Sequence, residues 1–343
     1  MRMKILLIGP YPPPHGGVSV HVSGIHLQLM AAGVQCRVLD SGRDRPGLGF
    51  GIVLLRHAWQ GWTLHLHTNG HNLKSWLVAL GCGLAGQFGG GCILTLHSGM
   101  APGYLRAAPR WGRKLAVFVC SLYTRVICVS DGIRNALLAL GLPPHRIEIV
   151  PAWLKTERPE ISLDPSILAW MGRHYPLLST TLFFRPEYGF DLLASAVARL
   201  RLGYPTVGCV VMGSGEQREQ AERLIHETGI EENVLMLGDV NHDACLALMS
   251  VSDVFIRPTL EDGDSISVRE ALSLGVPVVA SRIGTRPAGA ILFEPGDLGE
   301  MLSKVELAMA MEKDREVPVA GCMDRLMEIY QQVTAPEEAY VST

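Results

Sequence analysis

Two stretches of this 343-residue chain gather groups able to handle a phosphorylated, hydroxyl-rich ligand. The first is Gly9-Pro10-Tyr11-Pro12-Pro13-Pro14-His15-Gly16-Gly17-Val18-Ser19, a proline segment that opens onto two glycines where a helix is expected to begin. Bare backbone amides at such a point, with the positive end of the helix dipole, are suited to cradle phosphate. The same glycine pair also has the simpler use of turning the chain. The second stretch is Pro258-Thr259-Leu260-Glu261-Asp262-Gly263-Asp264-Ser265, with Arg269-Glu270-Ala271-Leu272 and Gly275-Val276-Pro277 after it. Asp262 falls in a loop and Glu270 about two turns into the following helix, while amides from Gly263 through Asp264 and Ser265 to Ile266 remain for an anion. Acceptors for hydroxyls beside donors for phosphates are the two needs of a nucleotide sugar.

Other chemistries find less support. The first turn lacks the G-x-G-x-x-G spacing of dinucleotide folds, which disfavours a nicotinamide enzyme. His65, His67 and His71 invite a metal reading, because H-x-H sets two imidazoles on one face of a strand. No Cys, Asp or Glu lies close enough in sequence to complete the set, so no metal is expected and these histidines are expected to line a cleft or the surface. His145 and His242 are assigned no role.

The elements that must position these residues alternate along the chain. Strand-like runs at Lys4 to Gly9, Cys36 to Leu39, Thr63 to His67, Cys92 to Leu96, Val126 to Val129 and Ile147 to Val150 are separated by helical stretches. Those stretches include Val20 to Ala32, 103 to 122 and 131 to 140, and the alternation predicts a parallel, doubly wound sheet. Four prolines between Pro151 and Ser179 mark an expected linker. A second series follows, with strands at Thr180 to Phe184, Val207 to Met212, Val234 to Leu237, Val254 to Ile256 and Val276 to Ala280. Its helices are expected over Tyr188 to Leu202, from Glu216, Asp243, Ser265 and Asp297, and over Cys322 to Val333. Two Rossmann-like domains of this kind would hold a ligand outside the carboxyl ends of their sheets.

Length and composition bound the rest. The chain is about two domains long, and its 48% hydrophobic and 18% charged content excludes disorder, collagen and coiled coil. Eight cysteines with no C-x-x-C pair read as reduced thiols, and the apolar run Ile5 to Ile8 is too short for a signal sequence, so a cytoplasmic location is expected. The uncharged stretch Ser75 to His97 is read as a buried helix, turn and strand rather than a membrane span. Residues 1 to 150 hold 14 Lys and Arg against 4 Asp and Glu, a net +10, and the remainder nets −13. A basic half suits an anionic partner such as a phospholipid surface or acidic glycan; alternatively the two halves attract one another. Arg106, Arg110, Arg113 and Lys114 are expected to share one helix and one face.

The order and spacing of several segments resemble the retaining, nucleotide-sugar-dependent glycosyltransferases of family four, over nearly the whole chain. The segments are the Pro10 to Ser19 loop, Leu94-Thr95-Leu96-His97-Ser98-Gly99, Ile127-Cys128-Val129-Ser130-Asp131, Arg146 to Pro151, Met212-Gly213-Ser214-Gly215-Glu216, Ser252-Asp253-Val254-Phe255, and Asp262 to Ala280. The resemblance implies the GT-B fold: residues 1–155 an acceptor-side domain, 156–320 a donor domain, and 321–343 a helix and tail packing back on the first domain. It implies that Glu270 accepts hydrogen bonds from the donor ribose and that Asp262, at the first position of the family's Glu-x7-Glu motif, meets the donor sugar with the amides of Gly263, Asp264 and Ser265. It further implies that Gly16 and Gly17 face the phosphates, that Gly213 and Ile266 belong to the donor site, and that His97 approaches the reacting sugar.

One turn departs from the pattern: Phe183 and Tyr188 stand where the family places an Arg and a Lys against the donor diphosphate, leaving Arg185 as the nearby cation. The activity implied is transfer of a hexosyl unit, with retention, to a saccharide or lipid-linked acceptor in polysaccharide or glycoconjugate synthesis. The nucleotide sugar is the co-substrate, no further cofactor or nucleic acid is involved, and the cytoplasmic face of an anionic membrane is an expected partner. The alternative is a non-catalytic GT-B protein that binds sugar or glycolipid; an epimerase is disfavoured.

Overall fold

The computed structural model describes residues 3–13, 15–43, 47–152, 159, 163–311 and 322–334. The chain forms two compact units, one of residues 1–154 with 321–343 and the other of residues 155–320. The expected boundaries at 155/156 and 320/321 lie outside the described residues.

The first unit runs β1 (Lys4–Gly9), α1 (Gly17–Ala31), β2 (Gln35–Asp40), α2 (Leu48–Trp59), β3 (Thr63–Thr68), α3 (Leu73–Gly86), β4 (Cys92–Leu96), α4 (Ala101–Ala107), α5 (Arg110–Ser121), β5 (Arg125–Cys128), α6 (Asp131–Ala139) and β6 (Ile147–Ile149). All strand pairs are parallel, in the order β2-β1-β3-β4-β5-β6. A parallel sheet is covered on both faces, which is why Ile5 to Ile8 form one uninterrupted apolar run, all buried. The order reverses between β1 and β3. Right-handed crossovers therefore put α1 on one face of the sheet and α2, α3 and α5 on the other.

The second unit runs α7 (Pro165–Met171), β7 (Leu177–Thr181), α8 (Phe190–Leu200), β8 (Gly208–Met212), α9 (Arg218–Thr228), β9 (Val234–Gly238), α10 (His242–Val251), β10 (Val254–Arg257), α11 (Ile266–Ser273), β11 (Val278–Ser281), β12 (Ile291–Phe293) and α12 (Leu298–Met309). Its six parallel strands are ordered β12-β11-β10-β7-β8-β9, and the reversal falls between β7 and β10. The last helix, α13 (Met323–Thr334), returns to the first unit. There Leu326, Ile329 and Tyr330 share a core with Ile5, Leu7, Ile25 and Ile93.

Local chemistry moved several boundaries. The stretch 103–122 is two helices, because Ala108 and Pro109 are extended (ψ 141° and 163°) between α4 and α5. Proline has no N–H to continue a helix and pushes the residue before it out of the α region. Arg106 thus lies on α4, apart from Arg110, Arg113 and Lys114 on α5, so the expected single helix carrying all four does not form; Arg113 donates to the carbonyls of Ala108 and Arg106. Within the expected linker lies α7, whose Pro165 occupies the first helical position after an Asp164 cap that accepts from the Ser166 amide at 2.8 Å.

The strand expected at Thr180 to Phe184 sits three residues earlier, as β7. Leu182 and Phe184 leave the sheet to bond Met212 and Ser214 in the next strand's loop. Tyr188 is not helical in the α sense; it closes a 3-10 turn over Pro186–Tyr188 before Gly189 (φ 69°) starts α8. A Cβ on Gly189 would lie 2.1 Å from the Pro258 carbonyl oxygen, so only glycine lets this turn approach the end of β10. Gly189→Ala is therefore expected to destabilise the second unit by about 1–2 kcal/mol or more, read as a lower midpoint in urea unfolding of the full chain.

Candidate functional site

In an open α/β sheet the ligand crevice lies outside the carboxyl ends of the strands, at the point where their order reverses. In the second unit that point is bridged by one side chain. Arg257, the last residue of β10, donates Nη1 to the Thr181 carbonyl at the end of β7 (2.6 Å) and Nε to Asp262 Oδ2 (3.3 Å). The same Oδ2 accepts from Arg286 Nη1 at 3.2 Å and lies 3.4 Å from the Thr259 hydroxyl, while Oδ1 accepts from the Gly263 amide at 3.0 Å. Arg286 also donates to the Ser281 carbonyl and the Thr259 hydroxyl, and only 3% of its side chain is exposed. Burial pushes the Asp262 carboxyl up, and the Arg257 and Arg286 charges more than reverse this, so it stays below the ordinary carboxylate range. Two guanidiniums on one carboxylate leave the cluster with an excess positive charge.

The aromatic departures in the first turn belong to the same cluster. The Arg257 guanidinium lies over the Tyr188 ring at 5.1 Å, Tyr188 meets Phe183 edge to face at 5.7 Å, and Arg185 lies over Phe183 at 5.8 Å. Arg185 itself is exposed. The two rings thus carry an arginine each, in a cation–π ladder.

Below the ladder, α11 begins with no side-chain cap on Ser265, whose hydroxyl instead meets that of Ser267 at 3.1 Å. The first amides of α11, from Ile266 on, have no partner within the helix. Asp264 is fully buried and paired with Arg269 at 2.7 Å, so it fixes the loop onto the helix. Glu270, also buried, holds His242 Nε2 at 2.6 Å. Burial lowers His242, but the Glu270 hydrogen bond and charge outweigh it and the imidazole is raised overall. Gly213 serves strand packing: at φ 136° its Cβ would lie 1.8 Å from the Leu182 carbonyl oxygen, and its amide donates to Gly238.

In the first unit, Gly16 is extended and caps α1, its amide donating to Ser19 Oγ at 2.9 Å. Its neighbour Gly17 opens the helix, and a Cβ there would meet nothing within 4 Å. No acidic residue lies in that first turn, so the dipole's positive end is unopposed.

Beside it the sheet buries histidines where a cleft-lining or surface placement was expected. His65 sits between the Tyr330 hydroxyl (2.6 Å) and the Thr95 hydroxyl (2.7 Å), and His67 Nδ1 lies 3.1 Å from His97 Nε2. His71 leaves the group for Ser98. His21, His67 and His97 instead bring three ring nitrogens within 4.8 Å of one another, a grouping that spans three elements and is invisible as a sequence motif. Among the described residues His21 Nδ1 and His67 Nε2 have no partner. Burial lowers His21 to about 4, a backbone hydrogen bond to Ala152 opposing it; burial first and then repulsion from neighbouring imidazoles lowers His65 to about 3 and takes His67 and His97 well below the ordinary value.

A family model for glycosyl transferases group 1 matches residues 183–316, and one for glycosyltransferase family 4 matches residues 15–158. The chain thus matches one glycosyltransferase family model along most of each of its two units. The phosphatidylinositol N-acetylglucosaminyltransferase gpi3 subunit of Schizosaccharomyces pombe is 29% identical over 202 residues, 56% of this chain and 43% of that protein. The GDP-mannose-dependent alpha-(1-6)-phosphatidylinositol monomannoside mannosyltransferase of Mycolicibacterium smegmatis is 28% identical over 47% of this chain and 45% of its own length. The chain thus spans less than half of each of these two relatives. In fold it matches Anabaena HepE, solved with UDP and glucose, with a TM-score of 0.69 at 16% identity over 96% of this chain and 95% of that one. The two Rossmann-like units are those of the GT-B class.

Of the residues singled out in the sequence, the structure gathers Arg185, Tyr188, Asp262, Gly263, Asp264, Ser265, Ile266 and Glu270 at one end of the second sheet. Sequence reasoning missed Arg257, Arg286 and His242. The first two each precede a proline on the carboxyl side of a strand, as Arg185 does, and that repeated Arg-Pro was the available signal. The buried histidines set a pH dependence for the stability of the first unit. Their folded pKa values lie below the unfolded value of 6.5, so between that pH and about 4 the unfolded chain binds the extra protons. The stability of the first unit is thus full above pH 6.5 and falls as the pH drops through that window. Thermal midpoints across the range are expected to show this fall, and His21→Asn to make it shallower.

Proposed function

We propose that this glycosyltransferase moves a sugar from a nucleoside diphosphate sugar to a saccharide or lipid-linked acceptor with retention of configuration. The observation that carries the reading is the excess cationic charge of Arg257, Arg286 and Asp262 at the reversal point of the second sheet, beside the uncapped start of α11. A diphosphate leaving group gathers negative charge as its bond to the sugar breaks, and preorganised donors placed for that charge lower the barrier. Arg286 commits its nitrogens to protein acceptors, whereas Arg257 has Nη2 outside its two bonds, so Arg257 is the group that meets phosphate. Asp262 holds both arginines at the sugar end of the site. Glu270, fixed by His242, accepts from the ribose hydroxyls.

In this reading Phe183 and Tyr188 relocate charge: each aromatic ring is the platform for an arginine that does the work of the cation usually found there. No protein base is required, because the departing phosphate oxygen takes the acceptor hydroxyl's proton on the face it leaves. The relatives named for transfer to phosphatidylinositol acceptors and the fold neighbour bound to UDP support the substrate classes.

Calorimetric titration with UDP, GDP and their sugar conjugates tests the reading. The wild-type chain is expected to bind one nucleotide family saturably, and Glu270→Ala to weaken it at least about tenfold and to abolish turnover. Arg257→Leu should remove the advantage of the diphosphate over the corresponding nucleoside, a loss of about 10- to 100-fold, and adding Tyr188→Lys should restore part of it. Unchanged diphosphate binding in Arg257→Leu would take Arg257 out of the site; no nucleotide binding by the wild type would overturn the whole reading.

A further inference from the structure

The helix layer formed by α2, α3 and α5 carries apolar side chains on its outer side as well as on the side that packs inward. In α2 the residues Phe50, Leu54 and Ala58 face inward and are buried. On the other side Leu48, Ile52, Leu55 and Trp59 recur at spacings of four, three and four, a second continuous stripe, with Leu48 91% and Trp59 87% exposed. In α3 the buried side is led by Trp76, Ala79 and Cys82, yet Leu73, Leu77 and Leu84 are exposed on another. In α5 the side chains of Trp111 and Phe118, seven residues apart, also stand in solvent. Because α3 packs against both α2 and α5, these stripes lie side by side. Monomeric soluble proteins rarely leave contiguous apolar surface on this scale uncovered.

The charge around the stripes selects the occupant. From Asp44 to Asp131 the sequence contains no acidic residue between, while Arg56, Lys74, Arg110, Arg113 and Lys114 come from the three helices themselves. Each of these five is exposed. A second copy of the chain would bring like charges together at this face, which is costly. An anionic lipid surface is attractive to every one of them, at about 1 kcal/mol per residue near the headgroups. Tryptophan at the edge of an apolar stripe is also the side chain that settles at a membrane interface. None of the helices is long and apolar enough to cross a bilayer, so the geometry is that of helices lying in the interface plane.

We infer that the α2–α3–α5 face is a membrane-docking surface that inserts Ile52, Trp59, Trp111 and Phe118 among the headgroups of an anionic leaflet. The contact is apolar first and electrostatic second, which distinguishes it from attraction by a basic patch alone. It does not depend on the donor site, and it would seat a chain with an inactive site equally well.

Flotation of the full chain with phosphatidylcholine vesicles, with and without phosphatidylglycerol, tests the inference. Binding to the mixed vesicles is expected, weaker to phosphatidylcholine alone. Ile52→Ser with Trp59→Ser should lower the partition coefficient by about tenfold or more on both, since each removes a side chain from apolar surroundings. Lys114→Glu should weaken binding only where phosphatidylglycerol is present. In the wild-type chain, brominated phosphatidylcholine should quench tryptophan fluorescence, a readout that needs no variant to fold. Absence of quenching, or serine variants that float like the wild type, would overturn the inference. So would a lipid-free dimer, seen by sedimentation, that these variants dissolve, because the face would then belong to a second copy.

Discussion

A buried carboxylate must be met by positive charge, and in the second unit one carboxylate is met twice. Asp262 accepts from Arg257 at the end of β10 and from Arg286 beyond β11, and a guanidinium needs several acceptors of its own, so the constraint spreads outward. Arg257 recruits the Thr181 carbonyl and so ties the two strands flanking the reversal of the sheet. Arg286 recruits Ser281 and Thr259 and ties the next strand to the loop. The turn holding Tyr188 is drawn against the same guanidinium through the close approach that Gly189 permits. Removing one partner of such a group leaves an uncompensated buried charge, which costs far more than the loss of an exposed pair.

The first unit meets the opposite problem. Its sheet buries imidazoles with no carboxylate beside them, and desolvation therefore keeps them neutral. The result is a region of donors and acceptors without net charge, next to a glycine helix start whose dipole is positive. The second unit carries full cationic charges at the end of its sheet; the first carries partial ones at a helix start.

Much of the fold was legible because parallel sheets write themselves plainly: β1, β4 and β8 are short, largely apolar runs between helix-length segments, and the alternation of such strands with helices dictated two Rossmann-like units. What was not legible had local causes. The break at Pro109 was hidden inside a run of good helix formers, and α7 inside a cluster of prolines of which one, Pro165, favours a helix start rather than opposing it. The candidate site divided along a similar line. Asp262, Glu270 and the amides between them sit within nine consecutive residues and could be read as a motif. Arg257 and Arg286 flank that motif, yet they become part of it only once β10, β7 and β11 are side by side. His21, His67 and His97 meet only after α1, β3 and β4 are packed, and the H-x-H spacing drew attention to His65, whose partner Tyr330 lies at the other end of the chain.

That last pairing bears on how the protein is made. The core of the first unit includes Leu326, Ile329 and Tyr330, which leave the ribosome after the whole second unit has been synthesised. During translation the first sheet emerges with the seat for α13 open: Ile5, Leu7 and Ile93 lack their cover, and the His65 ring lacks the hydroxyl that satisfies it. The second unit has its strands complete by residue 293 and can consolidate alone, before the first is closed. The order of completion is therefore the reverse of the order of synthesis, and the nascent first unit is the stretch of this chain that must be kept from aggregating until its last helix arrives.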